Sequence, residues 1–350
     1  MDYTRRSLLA SAGVLTTGAV AGCLGDAGAA TAAGADGDAA AQASFFVFGG
    51  VAREVAGDAT TTDLLVPVGQ HGHGWEPGPR VREAIRDADL LVHGPEGFQP
   101  WVDDVLGDLA ADDADVTAVD VAADVALLAA GEGHDDDHEG EHEAEHTEED
   151  HTDDHDESGD HDGSESGDDH DHGSVDPHFW MDPLRVRDAT ATVRDALSRV
   201  DPDAADAHAA NAESFRAALT SLDERVAALV DGASRETVLV AGHGSFGYLA
   251  DRYGVHVETL TGVGPDDRPT TRDLERAREV VETHDLRYVC ADPIESQRAA
   301  DQIVAETAAE AVLPLTAMPG LTEAWAADDW GYLDVMENVN VPTLERALAE

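Results

Sequence analysis

Three histidines lie in segments whose glycines or prolines shape the backbone around them. His73 and His243 each stand between two glycines, and His178 follows the Asp176-Pro177 pair. Neutral imidazole is a good ligand for zinc and the other late first-row divalent metals, and a closed site needs three or four such groups. We therefore expect these side chains, which are far apart in the chain, to converge on one divalent ion, with zinc favoured.

The segment around His243 also fits a second kind of site. Residues 242–247 satisfy the G-x-G-x-x-G pattern of dinucleotide-binding folds, and Glu258 stands where a ribose-binding acid could lie. We disfavour this interpretation because it leaves the other histidine-rich segments without a role. A hydrolase with Ser245 as its nucleophile is weaker still, since the neighbouring glycines lack the G-x-S-x-G spacing.

The chain has 350 residues, which is enough for two domains, and it is strongly acidic. It contains 74 Asp and Glu residues against 21 basic residues, all of them arginine, and its formal net charge is −53. A lysine-free acidic surface is typical of adaptation to high salt, where ions screen the repulsion between like charges. We expect no nucleic-acid partner, because few cations are available to meet phosphates.

Residues 134–172 hold 20 of these acids and nine histidines, and they contain no Val, Leu, Ile or Met. Nothing in this segment could offset the entropy lost on ordering, so it is predicted to be a disordered insert. Histidines and carboxylates at this density would gather divalent cations weakly. The predicted metal-collecting histidines are His134, His138, His142, His146, His151, His155, His161, His170 and His172.

Residues 1–23 have the features of an export signal. Arg5-Arg6 precedes a short apolar run, as in twin-arginine signals, and the small-small-Cys ending at Cys23 is typical of lipoproteins. We expect export and a lipid anchor on Cys23 at the outer face of the cell membrane, followed by a flexible tether over residues 24–43. The only other cysteine is Cys290, so the mature chain can form no intramolecular disulfide.

Beyond the tether, short apolar runs alternate with segments of helical spacing. This alternation predicts an α/β fold with two parallel-sheet lobes, over residues 44–200 and 233–350. A long helix over residues 201–232 is expected to join them as a rigid spine. The first two strands are predicted at residues 44–48 and 64–68. Ligands bind beyond the carboxyl ends of parallel strands, which places the metal site in the cleft between the lobes.

Five separated motifs resemble those of one protein family. Residues 176–183 read D-P-H-F-W-M-D-P, close to its D-P-H-x-W-x-D-P, and residues 69–79 read G-Q-H-G-H-G-W-E-P-G-P, similar to its G-x-x-P-H-x-Y-E-P-x-P. Further similar segments lie at residues 242–254, 291–296 and 332–339. The chain resembles the solute-binding proteins of zinc/manganese ABC importers, the cluster A-I metal-binding receptors. Its histidine-rich insert is similar to that of the zinc-type members.

The resemblance implies that His73, His178 and His243 are metal ligands, and that the protein is a receptor and not an enzyme. Such a receptor captures Zn²⁺, or less favourably Mn²⁺, and delivers it to an ABC permease and its ATPase; we expect it to act as a monomer. Family members often use an acid after the last strand, but this chain has none there. The candidates that would complete the metal shell are water, which we favour, His71, Glu76 and Asp292.

The chemistry of the three ligands also bears on the metal and on the alternatives. Imidazoles without a thiolate suit zinc better than manganese, which prefers carboxylate oxygen. The alternative function is an exported zinc-dependent hydrolase, in which the same three histidines hold the ion and the open position activates a water. That enzyme would need a general base close to the water, such as Glu76.

Overall fold

The structure of the protein is a computed structural model, which describes residues 40–130, 175–262 and 268–349. The predicted export signal, nearly all of the predicted tether and the histidine-rich insert at residues 134–172 lie outside the described residues. Among the helices that the structure describes, none is both long enough and apolar enough to cross a membrane.

Two four-stranded parallel sheets form the framework, one in each lobe. The strands are β1 Ala40–Ala43, β2 Thr61–Leu64, β3 Leu90–His93, β4 Thr117–Asp120, β5 Thr237–Val240, β6 His256–Thr259, β7 Tyr288–Ala291 and β8 Ala311–Pro314. Their orders are β2-β1-β3-β4 and β6-β5-β7-β8. Each sheet therefore reverses its direction of winding between its first and third strands, and the predicted α/β fold with two parallel sheets is confirmed.

A helix of 27 residues connects the lobes. The helices are α1 Phe46–Ala56, α2 Pro79–Arg86, α3 Pro100–Ala111, α4 Pro183–Val200, α5 Ala205–Asp231, α6 Gly247–Tyr253, α7 Thr271–Thr283, α8 Arg298–Glu306, α9 Glu323–Ala327, α10 Tyr332–Val335 and α11 Val341–Ala347. The longest, α5, packs against α1 and α4 and also against α6, α10 and α11. It is the spine that the sequence predicts.

The start of the first lobe differs from the prediction. The first strand is Ala40–Ala43, inside the expected tether, and the apolar run at residues 44–48 leads into α1, which begins at Phe46. The second strand likewise ends at Leu64, where the prediction began it. Alanine has a low strand propensity, so β1 carries no strand signal. Eight of the 11 residues of α1 are buried, and a continuous apolar run cannot separate a buried helix from a buried strand.

The two lobes share one hydrophobic core. Phe48 and Trp180 from the first lobe, Leu219 from the spine and Tyr332 from the C-terminal helices all belong to it, and each is at most 1% exposed. The Tyr332 hydroxyl donates a hydrogen bond of 2.7 Å to the carbonyl oxygen of Trp180. A continuous core of this kind limits how far the lobes can move apart.

Residues 316–321, which follow β8, cross from the second lobe to the loop after β2, and we call this segment the strap. The backbone N–H of Gly72 donates to the carbonyl of Pro319 at 2.7 Å, and that of Gly69 donates to the carbonyl of Leu321 at 2.7 Å. The strap therefore binds the loop of the first lobe by backbone hydrogen bonds, which do not depend on side-chain identity.

Side chains hold the strap at its other end. Asn340 accepts from the N–H of Thr316 at 3.0 Å and donates to the carbonyl of the same residue at 2.9 Å. It ends a π-helical turn, Met336–Asn340, between α10 and α11. Pro342 lacks an N–H and interrupts the helical ladder there, which explains the widened turn. The Trp180 indole also donates to Ala317 at 2.8 Å.

We predict that Gly320→Ala destabilises the protein, because a Cβ at this position would meet the backbone carbonyl oxygen of Gln70. Forcing the strap away from its partner loop should lower the free energy of unfolding by about 1–3 kcal/mol. Gly74→Ala is the matched control, since its Cβ would meet no atom within 4 Å. Urea unfolding of both variants tests this, and equal stabilities would contradict it.

Candidate metal centre

A buried amide fixes the loop that carries His73. The Gln99 side chain donates at 3.0 Å to the carbonyl oxygens of both Gly72 and Ser44, and its own oxygen accepts from the Ser44 hydroxyl at 2.7 Å. Gln99 is 1% exposed. Together with the strap, these bonds hold the backbone next to His73 on both sides.

A short turn before α4 presents His178. Asp182 caps the start of α4 by accepting from the Leu184 N–H. Earlier in the same turn, the Asp176 carboxylate accepts from the His178 backbone N–H at 2.9 Å and lies 2.7 Å from its Nδ1. Tyr248, on α6 of the second lobe, donates its hydroxyl to the Asp176 carbonyl at 2.6 Å. The His178 ring is thus oriented by its own turn and by both lobes.

His243 and Glu295 follow adjacent strands of the second sheet. β5 and β7 lie side by side at the point where the winding reverses, and their carboxyl ends lead to His243 and to Glu295. Glu295 Oε1 is 3.2 Å from Nδ1 of His243 and 3.6 Å from Nε2 of His71. One carboxylate therefore faces two imidazoles.

The three predicted histidines come together although they lie far apart in the sequence. Their ring centroids are 5.4 Å apart for His73 and His178, 5.6 Å for His178 and His243, and 6.2 Å for His73 and His243. Two imidazoles on one tetrahedral zinc ion, with Zn–N bonds of about 2.0–2.1 Å, have centroids about 5 Å apart. Among the described residues no group of three His, Cys, Asp or Glu already stands at coordinating positions.

Two ring nitrogens in this cluster are buried and unpaired. His178 Nε2 and His243 Nε2 have no hydrogen-bond partner in the part of the chain that the structure describes. In both rings the other nitrogen, Nδ1, faces a carboxylate, which favours the tautomer with its proton there. The lone pair of Nε2 is then free in each case. Such a pair of nitrogens is suited to bind a metal ion.

Burial keeps two of these imidazoles neutral. It is the main cause that lowers the pKa of His73 to about 2, and the neighbouring rings of His178, His71 and His243 lower it further. Burial also lowers the pKa of His178, although Asp176 opposes the shift. A neutral ring can bind a metal without first releasing a proton.

Aromatic side chains surround the rings on the first-lobe side. The His73 ring meets Phe98 edge-on with centroids 4.5 Å apart and Phe45 at 5.6 Å. The His178 ring lies 5.3 Å from Trp180. These groups offer no hydrogen-bonding atom at the contact except the Trp180 indole N–H, which is bound to the strap. The surroundings therefore strengthen electrostatic interactions with any bound ion.

The candidate fourth groups differ in position. His71 joins the cluster, with its ring 5.2 Å from that of His73. Asp292 is buried with a pKa raised by burial to about 6, but its two oxygens accept from Thr316 and from the Ile294 N–H. Glu76 is exposed, and no contact among the described residues links it to the rings.

Glu295 is the residue that sequence reasoning missed. Burial alone would raise its pKa, but the neighbouring His243 and His71 rings outweigh burial and lower the pKa to about 2. Its other oxygen lies 3.3 Å from where a Cβ on Gly242 would stand. A carboxylate at the glycine-rich turn would repel a pyrophosphate, which weighs against the dinucleotide alternative for residues 242–247.

The profile of one protein family, described as zinc-uptake complex component A, periplasmic (ZnuA), matches residues 42–347. The chain belongs to the ZnuA family. The match runs across both lobes and the spine, and it includes all the segments that carry the cluster of histidines.

Relatives in the family carry names that refer to zinc. The zinc-binding lipoprotein AdcA of Streptococcus pneumoniae R6 is 29% identical over 309 residues, which cover 87% of this chain and 54% of AdcA. The high-affinity zinc uptake system protein ZnuA of Bacillus subtilis is 26% identical over 296 residues, which cover 85% of this chain and 83% of that protein. The chain spans about half the length of the AdcA relatives that it matches.

Solved structures share the fold of this ZnuA-family chain. The Zn(II)-bound ZnuA-like domain of Streptococcus pneumoniae AdcA superposes with a TM-score of 0.68 at 24% identity, covering 90% of this chain and all of that domain. The metal-dependent lipoprotein YcdH of Bacillus subtilis gives a TM-score of 0.67 at 22% identity, covering 89% of this chain and 100% of that one. At these identities the likeness establishes the two-lobed fold.

We predict that the zinc-free protein loses stability as the pH falls below about 6.5, the usual pKa of an unfolded histidine. The folded protein keeps His73 neutral down to about pH 2, whereas the unfolded chain takes up the proton. The contribution of His73 to the free energy of unfolding is therefore fully present above pH 6.5. It falls by up to about 1.4 kcal/mol for each pH unit below that value.

Urea unfolding in the presence of a chelator, at pH 7 and pH 5, measures the effect. His73→Asn, which cannot titrate, should lose less stability between these two pH values than the wild type. His256→Asn, at an exposed position on the edge strand β6, is the control and should behave as the wild type does. Parallel pH profiles for all three proteins would contradict the prediction.

Proposed function

We propose that this protein is an extracytoplasmic solute-binding receptor that captures Zn²⁺ and delivers it to an ABC-type importer. The observation that carries the proposal is the convergence of three imidazoles, from His73, His178 and His243, between the lobes. Two of their nitrogens are buried without partners among the described residues. A cation that accepts both lone pairs removes the cost of burying them.

The donor set supports zinc over manganese. Imidazole nitrogen suits zinc, whereas manganese favours carboxylate and water oxygen. The carboxylates of Asp176 and Glu295 each face the Nδ1 of a ring. This is the arrangement in which carboxylates orient zinc-bound histidines and increase their basicity. The names of the AdcA and ZnuA relatives agree with this choice.

The N-terminal segment and the charge complete the proposal for where the protein works. Arg5-Arg6 and Cys23 support twin-arginine export and a lipid anchor at the outer face of the membrane. The relatives named lipoproteins support the anchor. The partners would be a permease and its ATPase, with the receptor acting as a monomer. The acidic, lysine-free composition fits a salt-rich exterior.

The histidine-rich insert has a proposed supporting role. Its flanks, Ala129 and Val175, pair in an isolated antiparallel bridge directly before the turn that carries His178. Cations gathered weakly by residues 134–172 would therefore be released close to the high-affinity site. In this division of labour the insert raises the local concentration of zinc, and the cleft between the lobes holds it tightly.

The zinc-hydrolase alternative has less support. Its proposed base, Glu76, is exposed and is not part of the ring cluster. Glu295 lies closer, but its Oε1 already faces two imidazoles. Because Glu76 lies apart from the rings and Glu295 already faces two imidazoles, the arrangement favours binding over catalysis.

We predict that His178→Ala lowers zinc affinity by more than about 100-fold, because the loss of an outer-sphere partner alone typically costs about 10–100-fold. Deletion of residues 134–172 should leave one tight site per chain. His256→Ala serves as the control for the loss of a histidine elsewhere. Calorimetric titration of zinc into the three stripped variants and the wild type, with a competing chelator, measures the affinities.

Equal losses of affinity in His178→Ala and in the deletion would refute the division of labour between the cleft and the insert. If the wild-type protein binds no zinc more tightly than the isolated insert would, the receptor proposal itself fails. A permease and an ATPase encoded beside this chain would support it.

A further inference from the structure

The position of His71 makes it a candidate for the remaining metal ligand, given the receptor function proposed above. Its ring centroid lies 5.2 Å from that of His73 and 6.1 Å from that of His243. The first distance is close to the roughly 5 Å expected for two imidazoles on one tetrahedral zinc ion. His71 therefore lies beside two of the three rings of the cluster.

The two nitrogens of His71 face different groups. Nε2 lies 3.6 Å from Oε1 of Glu295, and Nδ1 lies 3.4 Å from the backbone N–H of His73, which donates to it. An acceptor role for Nδ1 requires the tautomer with the proton on Nε2. The contact to Nδ1 is long for a hydrogen bond. The lone pair on Nδ1 thus lies on the side of the ring that faces away from Glu295 and is only weakly used.

Glu295 has the same relation to His71 and to His243. The same oxygen faces one nitrogen of each ring, at 3.6 Å and 3.2 Å, which favours the tautomer with the proton on that nitrogen. Asp176 faces His178 in the same way, at 2.7 Å. Carboxylates that face the outer nitrogen of an imidazole fix the tautomer that binds metal through the inner one.

We propose that His71 is the fourth ligand, through Nδ1, and that Glu295 is a shared outer carboxylate which positions His71 and His243. The centre then consists of four imidazoles. The charge of a divalent ion is balanced by two carboxylates, Asp176 and Glu295, which lie behind the ligating rings. Balanced charge matters here because an uncompensated charge in a buried site is costly.

A shell of four imidazoles also affects metal selection. A carboxylate in direct contact would accommodate manganese, but four nitrogens offer no oxygen ligand from the protein. His71 is thus a specificity-determining residue. Its loss should open a position for water and narrow the difference in affinity between zinc and manganese.

The test replaces zinc with one equivalent of ¹¹³Cd²⁺ in the full chain and records ¹H–¹¹³Cd correlation spectra, in which each ligating imidazole gives its own cross-peaks. The wild type should show four coupled rings, and His71→Ala should show three. Glu295→Gln should keep four coupled rings while its zinc affinity falls by about 10–100-fold. His256→Ala, the control, should match the wild type.

Three coupled rings in the wild type would overturn the assignment, as would an unchanged ring count in His71→Ala. An unchanged zinc affinity in Glu295→Gln would refute the positioning role of that carboxylate. These outcomes leave the receptor function standing if the wild type still binds one zinc tightly. Failure of the wild type to bind either metal would instead remove the proposed function on which the assignment rests.

Discussion

The structure depends on holding two imidazole nitrogens buried and without hydrogen bonds. His178 Nε2 and His243 Nε2 are buried without a hydrogen-bond partner among the described residues. A buried unpaired polar atom costs about 1–3 kcal/mol. Each ring nevertheless faces a carboxylate, and the Asp176 carboxylate also accepts a hydrogen bond from the His178 backbone N–H. The fold therefore maintains an unfavourable arrangement that a cation would relieve, and it does so at one point between the lobes.

Holding that point requires segments from distant parts of the chain to be fixed against one another. In the second lobe, Asp292 connects the segment that carries Glu295 to the strap. Its carboxylate accepts from the Ile294 N–H, next to Glu295, and from the Thr316 hydroxyl at the start of the strap. The strap in turn binds the loop that carries His73. Because the lobes also share a core, changes at the centre must be accommodated mainly by these loops.

The sequence predicts most of this architecture but only part of the site. Long amphipathic segments predict the spine, and the separated motifs predict that His73, His178 and His243 lie near one another, as the structure shows. β1 was not predicted because its alanines carry no strand preference. The start of α1 was predicted to be a strand because this helix is buried on nearly every side. Glu295 lies outside any metal-ligand pattern. Only the adjacency of β5 and β7, a property of the folded sheet, brings it to His243.

The chain combines a highly acidic composition with a centre rich in nitrogen, and the two features act at different ranges. A net charge of −53 attracts any cation, but ions screen this attraction beyond about 10 Å at 0.1 M salt and over shorter distances at higher salt. Such a field cannot distinguish zinc from calcium or magnesium, which prefer oxygen. Selection must therefore come from contact chemistry. In the coordination proposed above, Asp176 and Glu295 lie behind the imidazoles, so their charge is retained while their oxygens are withheld from the ion.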